Sequence, residues 1–141
     1  MQDGFFLLFL PTNVFYSDLL KVFCIQKMDK MITILGPTAS GKTALAAALA
    51  DRLGCEIISA DSRQVYRRMD IGTGKDLSDY AVDGRQIPYY LIDIAEPGTR
   101  YNLFQYQRDF RLAYDAIVSR GRRPILCGGT GLYIEAVLKG Y

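Results

Sequence analysis

The chain has 141 residues, 50% hydrophobic and 23% charged, with a net charge of +2. That length holds one domain with a real core, and so balanced a charge decides nothing about nucleic acid. It leaves only local clusters, such as Arg63, Arg67 and Arg68 or Arg120, Arg122 and Arg123, which are also what a solvated surface carries.

Residues 1–30 differ in character from the rest of the chain. The apolar run from Phe5 to Leu10 is interrupted by Pro11, Thr12 and Asn13, so it is too short to span a bilayer. Asp3 in place of a leading positive charge, with no small-residue cleavage site after a sufficient apolar stretch, argues against a secretory signal. This segment is expected to stand outside the domain, as an over-extended start with Met28 or Met31 as the natural one. Its rival is an N-terminal helix or membrane-surface segment.

From Met31 the pattern alternates strand and helix. Met31-Ile32-Thr33-Ile34-Leu35 is a short apolar run suited to a buried strand, and Ala44 to Leu53 is rich in helix formers. Between them stands Gly36-Pro37-Thr38-Ala39-Ser40-Gly41-Lys42-Thr43, a phosphate-binding loop. Gly36 and Gly41 let the backbone curl with its amides inward, Lys42 brings a point charge, and Thr43 brings a hydroxyl suited to Mg2+. With average glycine near 7%, a chance match to this pattern in a chain of such length is an event of about 1%. The helix after this loop would present its N-terminus to the anion.

After Gly54, a plausible helix stop, Glu56 to Ala60 reads as a second strand. Asp61 to Arg85 is polar and contains Gly72, Gly74 and Gly84, so it reads as an extended functional loop. Ile87 to Ile94 resumes an apolar strand whose beginning Pro88 puts at an edge or outside the ladder. Leu103, Tyr106, Phe110, Ala113 and Ile117 recur at helical spacing, with Asn102 as cap and Arg111 and Asp115 on the wet side; the aromatics read as core. Pro124 to Cys127 is another strand, and Gly128-Gly129-Thr130-Gly131 turns it into a last helix from Leu132 to about Lys139. Strands alternating with helices predict an α/β fold, P-loop NTPase-like, with a parallel sheet flanked by helices. Cys24, Cys55 and Cys127 are odd in number and show no metal-ligand spacing, so buried free thiols in a reducing compartment are expected. The absence of histidine excludes Ser-His or Cys-His nucleophiles and histidine metal sites within these residues.

The ordered series Gly36 to Thr43, Ser59-Ala60-Asp61-Ser62-Arg63-Gln64-Val65-Tyr66, Met69 to Lys75, Leu91-Ile92-Asp93 and Gly128-Gly129-Thr130-Gly131-Leu132-Tyr133 resembles the tRNA dimethylallyltransferase family. The likeness runs from about Met31 to Tyr141. Members of that family move a dimethylallyl group from dimethylallyl diphosphate to the exocyclic amine of an adenine beside the anticodon. The resemblance implies that Thr38 to Thr43 cradle the diphosphate, that Lys42 neutralises the leaving group, and that Thr43 helps to hold Mg2+. An amine conjugated to a purine is a poor nucleophile, so a carboxylate that takes its proton has a clear role, and Asp61 is the candidate. Asp93 is an alternative magnesium-side carboxylate, or plain strand termination. Asp61, Ser62, Arg63, Gln64 and Thr130 are the implied tRNA contacts, with the adenine flipped from its stack. The bland readings are a capping loop for Ser62 to Gln64 and an ordinary tight turn for Gly128 to Gly131.

Two departures stand out. Tyr89 and Tyr90 replace a pair of histidines, and Gly74 replaces a small residue, neither touching the diphosphate site. Family members also continue past residue 141, so the chain is expected to be a domain truncated at its C-terminus. The expected setting is a cytoplasmic monomer away from membranes, with tRNA and dimethylallyl diphosphate as partners. The alternatives are a phosphate-loop kinase that binds Mg-ATP and uses Asp61 as base, and an inactive fragment that only binds diphosphate.

Overall fold

The computed structural model describes residues 5–9, 31–36, 41–67 and 77–139, with backbone alone for 5–9 and 139. Residues 37–40 of the phosphate loop, the segment 68–76 with the Met69 to Lys75 motif, Cys24 and most of residues 1–30 lie outside this set.

Strands β1 (Phe5–Phe9), β2 (Met31–Leu35), β3 (Cys55–Ala60), β6 (Tyr89–Tyr90) and β7 (Arg123–Gly128) form one parallel sheet in the order β1-β2-β7-β3-β6. Helices α1 (Lys42–Leu53), α2 (Leu103–Ser119) and α3 (Gly131–Lys139) connect or follow the strands. A parallel sheet needs cover on both faces, and the strand residues sort accordingly. Ile32, Ile34, Ile57 and Ile125 pack with Leu45 and Leu49 of α1 on one face, while Met31, Ile58 and Leu126 pack with Tyr106, Phe110, Ile117 and Tyr133 of α2 and α3 on the other. Alanines at 46, 47 and 50 let α1 lie close on the sheet, and Gly54 ends it in a left-handed conformation at φ 70°.

The predicted strand and helix positions hold along most of the described chain, and three places differ. The apolar run Ile87 to Ile94 pairs only at Tyr89 and Tyr90, on the edge of the sheet, because Leu91 at φ 68° and Asp93 at φ 58° turn the backbone out of the ladder. The polar stretch 61–85 is not all loop. It contains a short 3-10 turn (Leu77–Tyr80) and a hairpin of β4 (Ala81–Val82) and β5 (Arg85–Gln86) closed by Asp83 and Gly84, both at positive φ. That pair of angles is what a two-residue hairpin with an Asp-Gly turn requires. Finally, β1 lies in the segment expected to stand apart, and its five residues pair in register with Met31 to Leu35 along the outer edge of β2.

Helix α2 follows the predicted spacing. Tyr106, Phe110, Ala113 and Ile117 are buried, Asn102 and Gln105 form a reciprocal capping box, and Arg111 and Asp115 are exposed. Tyr106 is more than core: its hydroxyl donates to the Ser59 carbonyl at 2.7 Å, and its ring stacks on Tyr133 at 4.0 Å, fastening both helices to β3.

The amino ends of the strands are tied by a charge cluster. The Glu56 carboxylate, with its side chain 4% exposed, accepts from Arg120 at 2.5 Å and from the Tyr90 hydroxyl at 2.6 Å, and Arg122 stands at 3.5 Å. Burial alone would raise the Glu56 pKa, but the Arg120 and Tyr90 hydrogen bonds and the two arginine charges outweigh it, so the carboxyl lies below its ordinary value near 4.5. A depressed folded-state pKa stabilises the fold above the ordinary glutamate range and loses that contribution as pH falls through the folded value. Glu56→Gln is therefore expected to cost about 2 kcal/mol at pH 7. Thermal melts from pH 7 to 3 check it, since the variant should lose part of the wild-type decline below about pH 4.5.

Candidate functional site

Three strand ends are level at the carboxyl edge of the sheet. Leu35 pairs with Gly128, and Gly128 with Ala60, so Gly36, Gly129 and Asp61 leave β2, β7 and β3 side by side. The contacts agree with this row. A Cβ built on Gly129 would stand 3.2 Å from the Gly36 carbonyl oxygen and 3.8 Å from Lys42 Nζ. The lysine ammonium thus lies against the Gly129 backbone, and the residue as a whole is only 9% exposed.

Lys42 opens α1. The residue before it, Gly41, takes φ 85°, makes no side-chain cap, and no acidic residue occupies the first turn. A helix N-terminus with no acidic residue in its first turn suits a bound anion. Thr43 comes next in the same turn, and the Cys127 thiol donates to the Lys42 carbonyl at 3.7 Å. Burial pushes the Cys127 thiol up to about 12 and the Cys55 thiol up to about 11. Both are buried and free, and at neutral pH neither is a nucleophile.

Gly128 decides the spacing of the row. A Cβ there would run into the carbonyl and Cα of Ala60 in β3, so only glycine fits between the strands. Gly131, by contrast, has open space around its own Cβ position. Gly128→Ala is expected to destabilise the domain by about 3 kcal/mol, because backbone rather than a side-chain tip would have to move. A denaturant melt checks this, and Gly131→Ala should stay within about 1 kcal/mol of the parent as its control.

The turn after Gly128 joins residues that the sequence could only propose separately. The Thr130 amide donates to the Ala60 carbonyl at 3.1 Å, and the Thr130 hydroxyl accepts from the Ser62 amide at 2.9 Å. Asp61 is 8% exposed, and one of its carboxylate oxygens accepts from the Arg63 amide at 2.9 Å. The Gln64 amide donates to the Asp61 carbonyl at 3.1 Å, closing a tight turn, while the Arg63 side chain is 56% exposed. The structure therefore brings Lys42, Asp61, Ser62 and Thr130 onto one edge. Asp93 stands further off. It comes after the edge strand β6, three strand spacings from β2, or about 14 Å, and its amide donates to the Gln64 carbonyl at 3.0 Å.

Tyr89 and Tyr90 both serve packing. Tyr89 lies 4.6 Å from the Tyr80 ring, and Tyr90 belongs to the Glu56 cluster. Sequence reasoning missed Gly129 as the backbone against which Lys42 lies, and Cys127 as the support beneath the first turn of α1. The glycine pair signalled a tight turn, but only the register shows what it touches.

A family model described as IPP transferase matches residues 64–141, and one described as Isopentenyl transferase matches residues 29–93. Among curated relatives, the chain is 70% identical over 116 residues to tRNA dimethylallyltransferase 1 of Parabacteroides distasonis, covering 82% of the chain and 38% of that protein. It is also 70% identical over 111 residues to tRNA dimethylallyltransferase 2 of Bacteroides fragilis, covering 79% of the chain and 36% of the relative. Among solved structures it is similar to the full-length tRNA isopentenylpyrophosphate transferase of Bacillus halodurans, with a TM-score of 0.73 and 43% identity over 80% of this chain and 36% of that one. A eukaryotic dimethylallyltransferase acting on tRNA gives a TM-score of 0.68 at 31% identity, covering 74% and 25% of the two chains. The chain thus spans little more than a third of the length of these curated relatives.

Proposed function

Because the chain belongs to the IPP transferase family, we propose that it supplies the donor-binding and base-bearing part of a tRNA dimethylallyltransferase. In this reading a dimethylallyl group passes from dimethylallyl diphosphate to N6 of an adenosine next to the anticodon, and diphosphate leaves. The observation that supports it is the level row of Gly36 with Lys42, Gly129 with Thr130, and Asp61 with Ser62.

The chemistry asks for a cation at one end of that row and a base at the other. Lys42 and the first turn of α1 meet the negative charge that grows on the diphosphate as the carbon–oxygen bond breaks. Their burial raises the worth of that charge over the same contact in water. As the new nitrogen–carbon bond forms, the N6 proton goes to the Asp61 carboxylate, which the Arg63 amide holds in place. Ser62, Arg63, Gln64 and Thr130 contact the tRNA, and the tie between Ser62 and Thr130 keeps their two loops in register.

Among the described residues no group of three or more carboxylate, cysteine or histidine ligands gathers into a metal centre. A magnesium ion would accordingly be held by Thr43 and by oxygens of the diphosphate itself, as is usual for this ion with phosphate ligands. The Thr43 hydroxyl fits that use, since it stands in the first turn of α1 next to Lys42 and has lone pairs to offer. Bound there, magnesium would add positive charge beside the leaving group. Asp93, so far from β2, is better placed to end its strand than to share that ion.

We assign the work to the cytoplasm and to a monomer. Among the described residues no helix is long and apolar enough to cross a membrane. The test is calorimetric titration of the chain, with magnesium, against dimethylallyl diphosphate and separately against ATP. Preference for the prenyl diphosphate supports the transferase reading, whereas preference for ATP replaces it with phosphoryl transfer. Binding of neither overturns the assignment of donor binding to this stretch.

A further inference from the structure

Beyond Asp61, a cavity of about 330 Å³ opens between Ser62, Arg63 and Tyr66 on one side and Gly98 and Thr99 on the other. None of the sequence motifs includes Gly98 or Thr99. We propose that this cavity holds the nucleotide that flanks the target adenosine, making Thr99 and Tyr66 specificity-determining residues. The proposal rests on the reading of this edge as a tRNA site.

Position carries the first part of the argument. Across the carboxyl edge the order runs from the phosphate loop at β2, through the Gly129–Thr130 turn at β7, to Asp61 at the end of β3. The cavity comes next, since Ser62 and Arg63 form its near wall directly after Asp61. If donor diphosphate, reacting amine and base occupy the row in that order, the polynucleotide chain leaves the site at Ser62. The cavity then lies on the exit side of the flipped adenosine, walled by the two residues that follow Asp61.

Chemistry carries the second part. Arg63 offers a guanidinium to a phosphate, Tyr66 a ring to a base face, and Ser62 and Thr99 hydroxyls to base edges. The volume is at the small end for ligand pockets, which begin at about 300 Å³ and bury most of a small ligand. A prenyl tail would have no use for the guanidinium or the hydroxyls.

Rigidity carries the third. The far wall is fastened to the near one at several points. Tyr66 and Ala95 form a parallel bridge, the Arg67 amide donates to the Ala95 carbonyl at 2.8 Å, and the Arg67 guanidinium meets Glu96 at 2.9 Å. The Thr99 hydroxyl donates to the Glu96 carbonyl at 2.6 Å, and the Tyr101 amide donates to the Tyr66 hydroxyl at 3.3 Å. A loop held in this way is a preformed wall and loses little freedom on binding.

The test uses an anticodon stem-loop RNA with the target adenosine, together with two versions that lack the base on its 5′ or its 3′ side, in equilibrium titrations monitored by anisotropy. With the unaltered chain, loss of one flanking base is expected to weaken binding about tenfold. Thr99→Phe, which fills the cavity from an exposed loop, should weaken the intact RNA about tenfold and the abasic RNA no further. Equal weakening of intact and abasic RNA by Thr99→Phe, or indifference of the unaltered chain to both abasic positions, overturns the cavity assignment and leaves the tRNA reading in place. An unaltered chain that binds no stem-loop overturns both.

Discussion

Lys42→Ala is expected to abolish measurable binding of dimethylallyl diphosphate. The lysine is 9% exposed and lies against the Gly129 backbone, so its charge acts where water is largely excluded. A charge-assisted contact in such a place is worth about 3 kcal/mol, more than a hundredfold in affinity. The helix terminus and loop amides would remain, and they are too weak to hold a diphosphate tightly on their own. Calorimetric titration with magnesium reads the loss directly, and a thermal melt of the variant shows whether the fold is intact. Binding within tenfold of the parent would place the diphosphate elsewhere.

The second large effect is on transfer and not on donor binding. Asp61→Asn, in a chain extended to the length of its curated relatives, should bind donor normally and transfer prenyl groups about 100- to 10,000-fold more slowly, the range usual for a lost general base. Asparagine keeps an oxygen to accept the Arg63 amide, so the turn holds while the proton acceptor is gone. Single-turnover measurements separate the two steps. Transfer at more than about a tenth of the parent rate would remove Asp61 from the base role.

The parts legible in the sequence were those governed by local pattern. Met31 to Ile34 and Cys55 to Ala60 are short runs of buried residues in which apolar side chains predominate, and α2 shows its buried stripe and capping residue within one window. What escaped was set at long range. The bond between Ser62 and Thr130 joins residues 68 positions apart and exists only because β3 and β7 pair in one register. Leu91 leaves its strand against its own apolar character, because the bonds from Asp93 to Gln64 and from Ile94 to Val65 pull the chain toward the loop after Asp61. The hairpin at Asp83 and Gly84 was within reach of local reasoning. Its two short strands were hidden by polar neighbours, although an Asp-Gly pair is a strong turn signal.

The place of β7 between β2 and β3 also sets a folding order. Residues 31–35 gain their inner neighbour only when residues 123–128 arrive, and Gly129, which meets Gly36 and Lys42, follows directly after them. Such pairings close long loops before any contact repays the entropy, so the sheet should assemble slowly compared with a helical bundle of similar size. On the ribosome, the loop and helix α1 emerge long before the strand that completes them. A diphosphate present during synthesis therefore has no finished site to select, and its stabilising effect is confined to the late, assembled state.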